Sequence, residues 1–162
     1  ASDRLLAKMK KGVDIGQVAR VTKAFSEENI MVHAYLMYGF PTETAQETID
    51  SLEVVRQLFM HNCIQSGFWH QFACTAHSPV GKNPDEFGIK VTGPKFKGFA
   101  ENDLYHEDPT GAEHHLYSQG LNIALNNYLN HKGFDIPLSD YCDFKVPKKT
   151  HPNNFIENFL KE

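Results

Sequence analysis

The sequence predicts an α/β protein in which helices alternate with parallel strands. An apolar strand at residues 30–38 has His33 as its single strongly polar residue and runs into a Gly-Phe-Pro-Thr-Glu-Thr turn. A helical segment and a second strand, at residues 66–76, follow it. Near-continuous apolar strands are typical of parallel sheets that are covered on both faces, and ligands of such folds bind where the strands end.

Capping residues and helical spacing define the helices of the first half. We expect Ser2 to cap a first helix that Gly12 terminates, and Asp14 to begin a second helix. In the second helix the apolar residues recur at helical spacing at Val18, Val21, Ala24 and Phe25. A third helix, capped by Thr42 or Thr44, carries Ile49, Leu52, Val55, Leu58 and Phe59. The resulting order predicts a right-handed βαβ unit.

Glycine and proline change the character of the chain after Pro79. They recur at Gly81, Pro84, Gly88, Gly93, Pro94 and Gly98, which predicts a loop region with a hairpin. Helical spacing returns from Gly111 to His131, ended by Gly133, and a short helix is expected near residues 153–160. We therefore divide the chain into residues 1–81 and a C-terminal extension at 82–162.

Composition excludes several classes of protein. The chain has 162 residues, a net charge of −4 and a pI near 6.1, and a basic surface for nucleic acid is not expected. It has no apolar run of the roughly 18 to 20 residues that span a bilayer, so we expect a cytoplasmic protein without membrane contact. Cys63, Cys74 and Cys142 form no CxxC pair and are expected to be free, mostly buried thiols.

The number of strands indicates that the fold is incomplete. Two parallel strands cannot close a barrel, and their edges and faces would stay uncovered. We therefore predict a partial (β/α) barrel of the TIM type with a C-terminal loop and an α-helical extension. The sequence also starts without methionine, so a truncated enzyme is expected, with homodimerisation through the exposed strand edges as one outcome.

Three motifs in residues 1–81 resemble the C-terminal half of radical S-adenosylmethionine (radical SAM) enzymes, most closely those with a cobalamin-binding N-terminal domain. They read A-S-D-R-L-L-A-K-M-K-K-G, V-H-A-Y-L-M-Y-G-F-P-T-E-T and S-L-E-V-V-R. The resemblance implies a four-iron, four-sulfur cluster on a CxxxCxxC loop, reductive cleavage of SAM to a 5′-deoxyadenosyl radical, and hydrogen abstraction from a substrate. The cysteine loop is absent here, so this fragment is expected to be inactive and to bind none of these cofactors alone.

The resemblance also assigns candidate site residues. The strand end that contacts adenine in this family corresponds to residues 36–43, here with Met37, Tyr38, Gly39, Phe40, Pro41 and Glu43. Thr42 departs from the family's usual Gly-Phe-Pro-Gly-Glu-Thr. The alternative is that Gly39 and Pro41 merely turn the chain from strand to helix.

The second strand supplies candidates for contact with an unidentified substrate. Alternation along a strand places Phe68, His70, Phe72, Cys74 and Ala76 on one face. We name His70, Cys74 and His77, while a histidine packed inside the barrel remains an alternative for His70.

Two other interpretations remain open. The polar residues His106, Glu107, Asp108, His114 and His115 include metal-ligand types, but their spacing does not favour a metal site. The whole chain is alternatively a complete α+β binding or protein-interaction module without catalysis. Such a module should bury its apolar surface, whereas a half-barrel should expose it.

Overall fold

The structure is a computed structural model that describes residues 1–96, 101–110 and 112–161. It is a mixed α/β fold. The helices are α1 (Asp3–Lys8), α2 (Ile15–Glu27), α3 (Ala45–Met60), α4 (Pro79–Lys82), α5 (Pro84–Phe87), α6 (Tyr117–Leu129) and α7 (Phe155–Leu160), with 3-10 helices at His114–Leu116 and Leu138–Tyr141. The strands are β1 (His33–Tyr38), β2 (Ser66–Gln71), β3 (Cys74–Thr75), β4 (Lys90–Gly93) and β5 (Asp103–Glu107).

The strands form two small sheets. β1 and β2 are parallel and in continuous register from His33 opposite Ser66 to Tyr38 opposite Gln71, so the predicted parallel β1-α3-β2 unit is confirmed. β5 lies between β3 and β4 in an antiparallel sheet, which confirms the hairpin expected after Pro79. Within the described ranges the strands close no barrel. The partial barrel and the division at residue 81 remain predictions.

Helix α3 is the central element of the larger core. Thr44 caps it through a reciprocal capping box with Glu47, and every residue from Thr48 to Phe59 is buried. Ile49, Leu52, Val55 and Phe59 pack in one cluster with Trp69 of β2 and with Leu121, Leu125 and Tyr128 of α6. Because this cluster contains residues of both predicted segments, the C-terminal extension packs on the same core as the β1-α3-β2 unit.

The faces of α2 and β1 differ from those that the apolar pattern indicated. α2 buries Ile15, Gly16 and Ala19, while Val21 and Phe25 are exposed. β1 begins at His33 rather than at residue 30, and it is not covered on both faces, since Tyr35 is 79% exposed. The pattern was therefore wrong about which apolar residues are covered by the described part of the chain.

The predicted second strand is divided between the two sheets. β2 ends at Gln71, and Cys74–Thr75 pairs with β5 instead of continuing along β1. Alternation from Phe68 to Ala76 does not hold across this break. In the C-terminal half, α6 and α7 confirm the two predicted helices with shorter bounds, whereas the short helices α4 and α5 were not expected. Gly98 and Gly111 lie outside the described residues.

Several helices end at non-glycine residues with a left-handed backbone. Lys10, Asn29, Asn62 and His131 follow the ends of α1, α2, α3 and α6 with φ between 52° and 60°. After α1, Lys11 N donates to Leu6 O and Lys10 N to Ala7 O, the pair of bonds of a Schellman motif. The terminators predicted at Gly12 and Gly133 are thus wrong, because both helices end before those glycines.

A buried carboxylate joins α3 to the C-terminal segment. The side chain of Glu53 is 1% exposed and accepts hydrogen bonds from Arg56 Nε at 2.8 Å and Nη2 at 2.7 Å, from Gln57 Nε2 at 2.6 Å and from Lys149 Nζ at 2.7 Å. Burial alone would raise the pKa of Glu53, but these donors lower it. The carboxylate is therefore held ionised inside the core.

We predict that E53Q lowers the free energy of unfolding by about 3 to 5 kcal/mol, because Arg56 and Lys149 lose their anionic partner in a buried site. Urea titration measures the change. E27Q is the matched control, since Glu27 is an exposed partner of Lys23 at 3.8 Å and should matter by less than about 1 kcal/mol. An equal loss in the two variants would contradict the role of Glu53.

Candidate functional site at the end of the first strand

The turn after β1 is held together by a buried carboxylate. Gly39 has φ +77°, and Glu43 N donates to Phe40 O at 2.8 Å. The Glu43 side chain, 1% exposed, accepts from Phe40 N at 3.0 Å and from Thr48 Oγ1 at 2.9 Å. The turn is thereby fixed to the first turn of α3.

Thr42 occupies a left-handed backbone position within this turn, with φ +70°. Four hydrogen bonds hold it there. Its N–H donates to Asp108 Oδ2 at 2.7 Å, its carbonyl accepts from Arg4 Nη2 at 2.8 Å, and its hydroxyl accepts from Arg4 Nη1 and from Lys8 Nζ. Glycine adopts this conformation without strain. These bonds offset the strain of a threonine at this position.

Arg4 also fixes the first turn of α3 through Glu47. The guanidinium donates to both carboxylate oxygens, at 2.8 Å from Nε and 2.6 Å from Nη2, and Ser2 Oγ adds a bond at 2.9 Å. Burial opposes ionisation of Glu47, but the bonds from Arg4, from Thr44 N–H and from Ser2 outweigh it and lower the pKa to about 2. These hydrogen bonds hold helix α1 against the turn.

His114 covers Gly39. A Cβ built on Gly39 would lie 3.2 Å from His114 Cβ and 3.3 Å from Cγ. His114 is 8% exposed, and both of its ring nitrogens are buried without a hydrogen-bond partner among the described residues. Gly39 is therefore required both by its φ and by the close approach of this histidine. The explanation as a strand-to-helix turn is sufficient for the glycine, and its contact with adenine stays a prediction.

Asp108 links the turn to the C-terminal half. Burial would raise the pKa of its carboxyl group, but bonds from Thr110 and from Thr42 N–H, with the nearby His114, lower it. Arg4 was missed as a site residue, and Asp108 and His114 were named only in the polar cluster considered for a metal site. Their role at the turn had no signal in the sequence, because nothing in the spacing places residue 108 beside residue 42.

The other predicted adenine-contacting residues are divided between cores and surface. Tyr38 is buried in edge-to-face contact with Trp69, at 6.2 Å between ring centroids. Phe40 packs with Phe72 and Phe87 in the smaller core cluster, and Pro41 is fully buried. Met37 shares the strand face of Tyr35 but is partly buried, because it packs against the smaller core cluster. The side chains of Tyr38, Phe40 and Pro41 therefore serve packing.

The three substrate-facing candidates differ in their surroundings. His70 lies on the uncovered face of β2, where its ring stacks with Phe68 at 6.4 Å. Cys74 is 1% exposed in the smaller core cluster, beside Leu5, Val80 and Ile89. His77 is exposed after β3. The common face predicted for His70 and Cys74 is thus wrong, because the strand breaks between them.

An open face instead joins β1 and β2. Its residues are His33, Tyr35 and Met37 of β1 with Ser66, Phe68 and His70 of β2, which are neighbours in the parallel register. Tyr35 is 79% and Phe68 is 53% exposed, and His33 Nδ1 lies 2.7 Å from Ser66 Oγ. We call these six residues the open sheet face. The opposite face, with Leu36 and Trp69, packs on the larger core.

The cysteines do not fit an iron–sulfur cluster. Cys63 lies in the larger core, Cys74 in the smaller one, and Cys142 is partly buried. Burial raises the pKa of all three thiols, that of Cys63 to about 11, whereas a cluster needs thiolates at one site. Among the described residues, no three His, Cys, Asp or Glu side chains are grouped closely enough to hold a metal ion.

Comparisons with known proteins found no matching family model, no matching curated protein and no matching solved structure. In the described part of the chain, no helix combines the length and apolar character needed to cross a lipid bilayer.

We predict that G39A costs more stability than G12A. Gly12 has φ +69° with no atom within 4 Å of a built Cβ, so G12A pays only the left-handed strain, about 1 to 2 kcal/mol. G39A has this strain and also the close contact with His114. Chemical unfolding of G39A, H114G and the double variant measures their coupling, because H114G removes both contacting atoms. Additive costs would contradict the packing of His114 on Gly39.

Acid titration of stability tests the Arg4–Glu47 contact. The folded pKa of Glu47 is lowered from 4.5 to about 2, so its contribution is complete above pH 4.5 and is lost as the pH falls toward 2. We predict that wild type is more stable than E47Q at pH 6 and that the difference shrinks through this window. Urea unfolding at a series of pH values measures it. A difference that is constant with pH would contradict ionisation as its source.

Proposed function

We propose that this chain supplies the adenine-contacting strand end of a radical SAM enzyme, as part of a larger (β/α) barrel. The observation that carries the proposal is the open sheet face, which lies opposite the face covered by α3 and leads to the Gly39 turn. A barrel strand presents one face to the helices and the other to the barrel interior. The open sheet face is what such a strand pair exposes when its neighbours are missing.

The direction of the strands supports the same proposal. β1 and β2 are parallel, so both end on the side where the Gly39 turn lies. Enzymes with (β/α) barrels carry their active sites at this carboxyl end. A ligand there would meet Met37 and His70, which are opposite each other in the register, and the backbone of residues 36–43.

SAM at this turn would contact backbone groups of residues 36–43 other than the N–H groups that already have partners. His114 covers the Cβ side of Gly39, and the N–H groups of Phe40 and Thr42 already bind Glu43 and Asp108. In the parent enzyme a four-iron, four-sulfur cluster would supply the electron that cleaves SAM to methionine and a 5′-deoxyadenosyl radical, and this radical would take a hydrogen atom from the substrate. Because the cysteines here do not fit the cluster, its ligands belong elsewhere in the parent enzyme, and this chain by itself is inactive.

The partners follow from this assignment. They are SAM, an unidentified small substrate, and the remaining barrel, which covers the open sheet face; cobalamin is a further cofactor of the enzymes that the sequence resembles. A second copy pairing along β1 is the alternative cover for the strand edge. We also propose that the enzyme is cytoplasmic and contacts neither nucleic acid nor a membrane.

A binding or interaction module is the second candidate function. It rests on Tyr35 of the open sheet face, which is 79% exposed, and on Met31 just before β1, which is 78% exposed, as a surface for a partner. The two candidates differ at the Gly39 turn, which binds adenine only in the first. The exposure of Tyr35 and Phe68 fits both candidates, because an exposed apolar patch marks a surface for a partner as well as an incomplete fold.

We predict that 5′-deoxyadenosine shifts the amide NMR resonances of residues 36–43, with a dissociation constant on the order of 1 mM because only part of the site is present. Analytical ultracentrifugation first identifies a concentration at which the chain is monomeric, and the titration is done at that concentration. G39A should abolish these shifts and G12A should keep them. Uridine is the control ligand for nonspecific stacking.

Resonance changes confined to Tyr35 and Phe68, equal for the two nucleosides, would contradict the proposal and favour the interaction module. Saturable changes at residues 36–43 that are absent with uridine would support it.

A further inference from the structure

A cavity of about 760 Å³ lies between α3 and the C-terminal segment, away from the Gly39 turn. We call it the C-terminal pocket. Its charged residues are Glu53 and Arg56 of α3 with Lys149, and its apolar wall includes Met60, Phe134 and Val146. Small-molecule sites are usually clefts of roughly 300 to 1,000 Å³ with mostly apolar walls and a few converging polar groups.

The walls of the pocket are fixed by hydrogen bonds. Asp50 accepts from Thr150 N and Oγ1, both at 2.6 Å, and Gln57 donates to Pro152 O at 2.7 Å. On the other side Arg56 Nη1 donates to Phe134 O at 2.7 Å. The segment that carries Lys149 is therefore tied to a buried helix at several points, so a ligand would enter a site that is already formed.

The charges at the base of the pocket do not cancel. Arg56 and Lys149 share the single carboxylate of Glu53. Asp135 and Lys148, at the rim, are both exposed and offset each other, which leaves a formal excess of one positive charge among the lining residues. This excess can be offset by an anionic group that approaches Lys149, whose side chain is partly exposed.

Lys149 is the group that a ligand can reach. Its side chain is 30% exposed, whereas that of Arg56 is 9% exposed. The ammonium group has three N–H donors, and its bonds to Glu53 and to Asn153 Oδ1 use two of them. One donor is left for a ligand that lies against Phe134 and Val146.

We propose that the C-terminal pocket binds a small organic monocarboxylate with an apolar body. The carboxylate pairs with Lys149, and the apolar body lies against Met60, Phe134 and Val146. One negative charge matches the excess of one positive charge, while a phosphate monoester, with a charge of about −1.5 to −2, would overcompensate it. This assignment is independent of the proposed SAM site, since the two share no residue.

The test compares phenylacetate with its neutral analogue phenylacetamide in amide NMR titrations of the full chain. We expect phenylacetate to shift the resonances of Ile136, Val146 and Lys149 with at least tenfold tighter binding than the amide. K149M should remove this preference. K145M is the matched control, because Lys145 is exposed and does not line the pocket.

A second variant keeps the test decisive if K149M does not fold. V146W fills the pocket from its apolar wall without touching a charge, and it should weaken binding of both compounds at least tenfold. Equal binding of acid and amide to wild type, shifts located at the open sheet face, or unchanged binding by V146W would each overturn the proposal.

Discussion

The structure depends on hydrogen-bond partners for the polar side chains of a buried helix. α3 is covered from Thr48 to Phe59, yet it carries Asp50, Glu53, Arg56 and Gln57 in that stretch. Buried polar groups are costly when they lack partners. Their partners come from the C-terminal segment, where Lys149, Thr150, the Pro152 carbonyl and Ile156 N–H bind them. The position of that segment is therefore set by α3.

The same helix covers only one face of the parallel strand pair, so the two faces differ. One side, with Leu36 and Trp69, belongs to the core that α3 organises, and the other leaves Tyr35 and Phe68 largely in solvent. Exposed aromatic residues side by side on a sheet are unusual for a surface that stays in water. The proposals for a barrel and for a binding partner each supply a different cover for this side.

Local signals predicted local structure well. Ser2, Asp14 and Thr44 cap α1, α2 and α3 as expected, since a cap needs only a side-chain oxygen a few residues from its N–H partner. The buried face of α2 was not predictable in this way, because Val21 and Phe25 follow helical spacing but find no covering element in the described chain. The break after Gln71 depends on pairing with β5, more than thirty positions onward.

The candidate site likewise combines residues whose role has a local signal in the sequence with residues whose role has none. Gly39 and Glu43 could be recognised because a glycine and an acid at a strand-to-helix turn have local roles. His114, Asp108 and Arg4 could not, since each reaches the turn from a distant part of the chain. Lys149, likewise, has no local signal for its role, and only the folded chain shows it bonded to buried Glu53.

The bonds between α3 and the C-terminal segment also bear on the order of folding. Glu53 and Lys149 are 96 positions apart, Gln57 and Ile156 are 99 apart, and Asp50 and Thr150 are 100 apart. Contacts between such distant positions require closure of a long loop before they contribute stability. During synthesis α3 leaves the ribosome long before its polar partners exist, so its final burial waits until residues 149–156 have been translated.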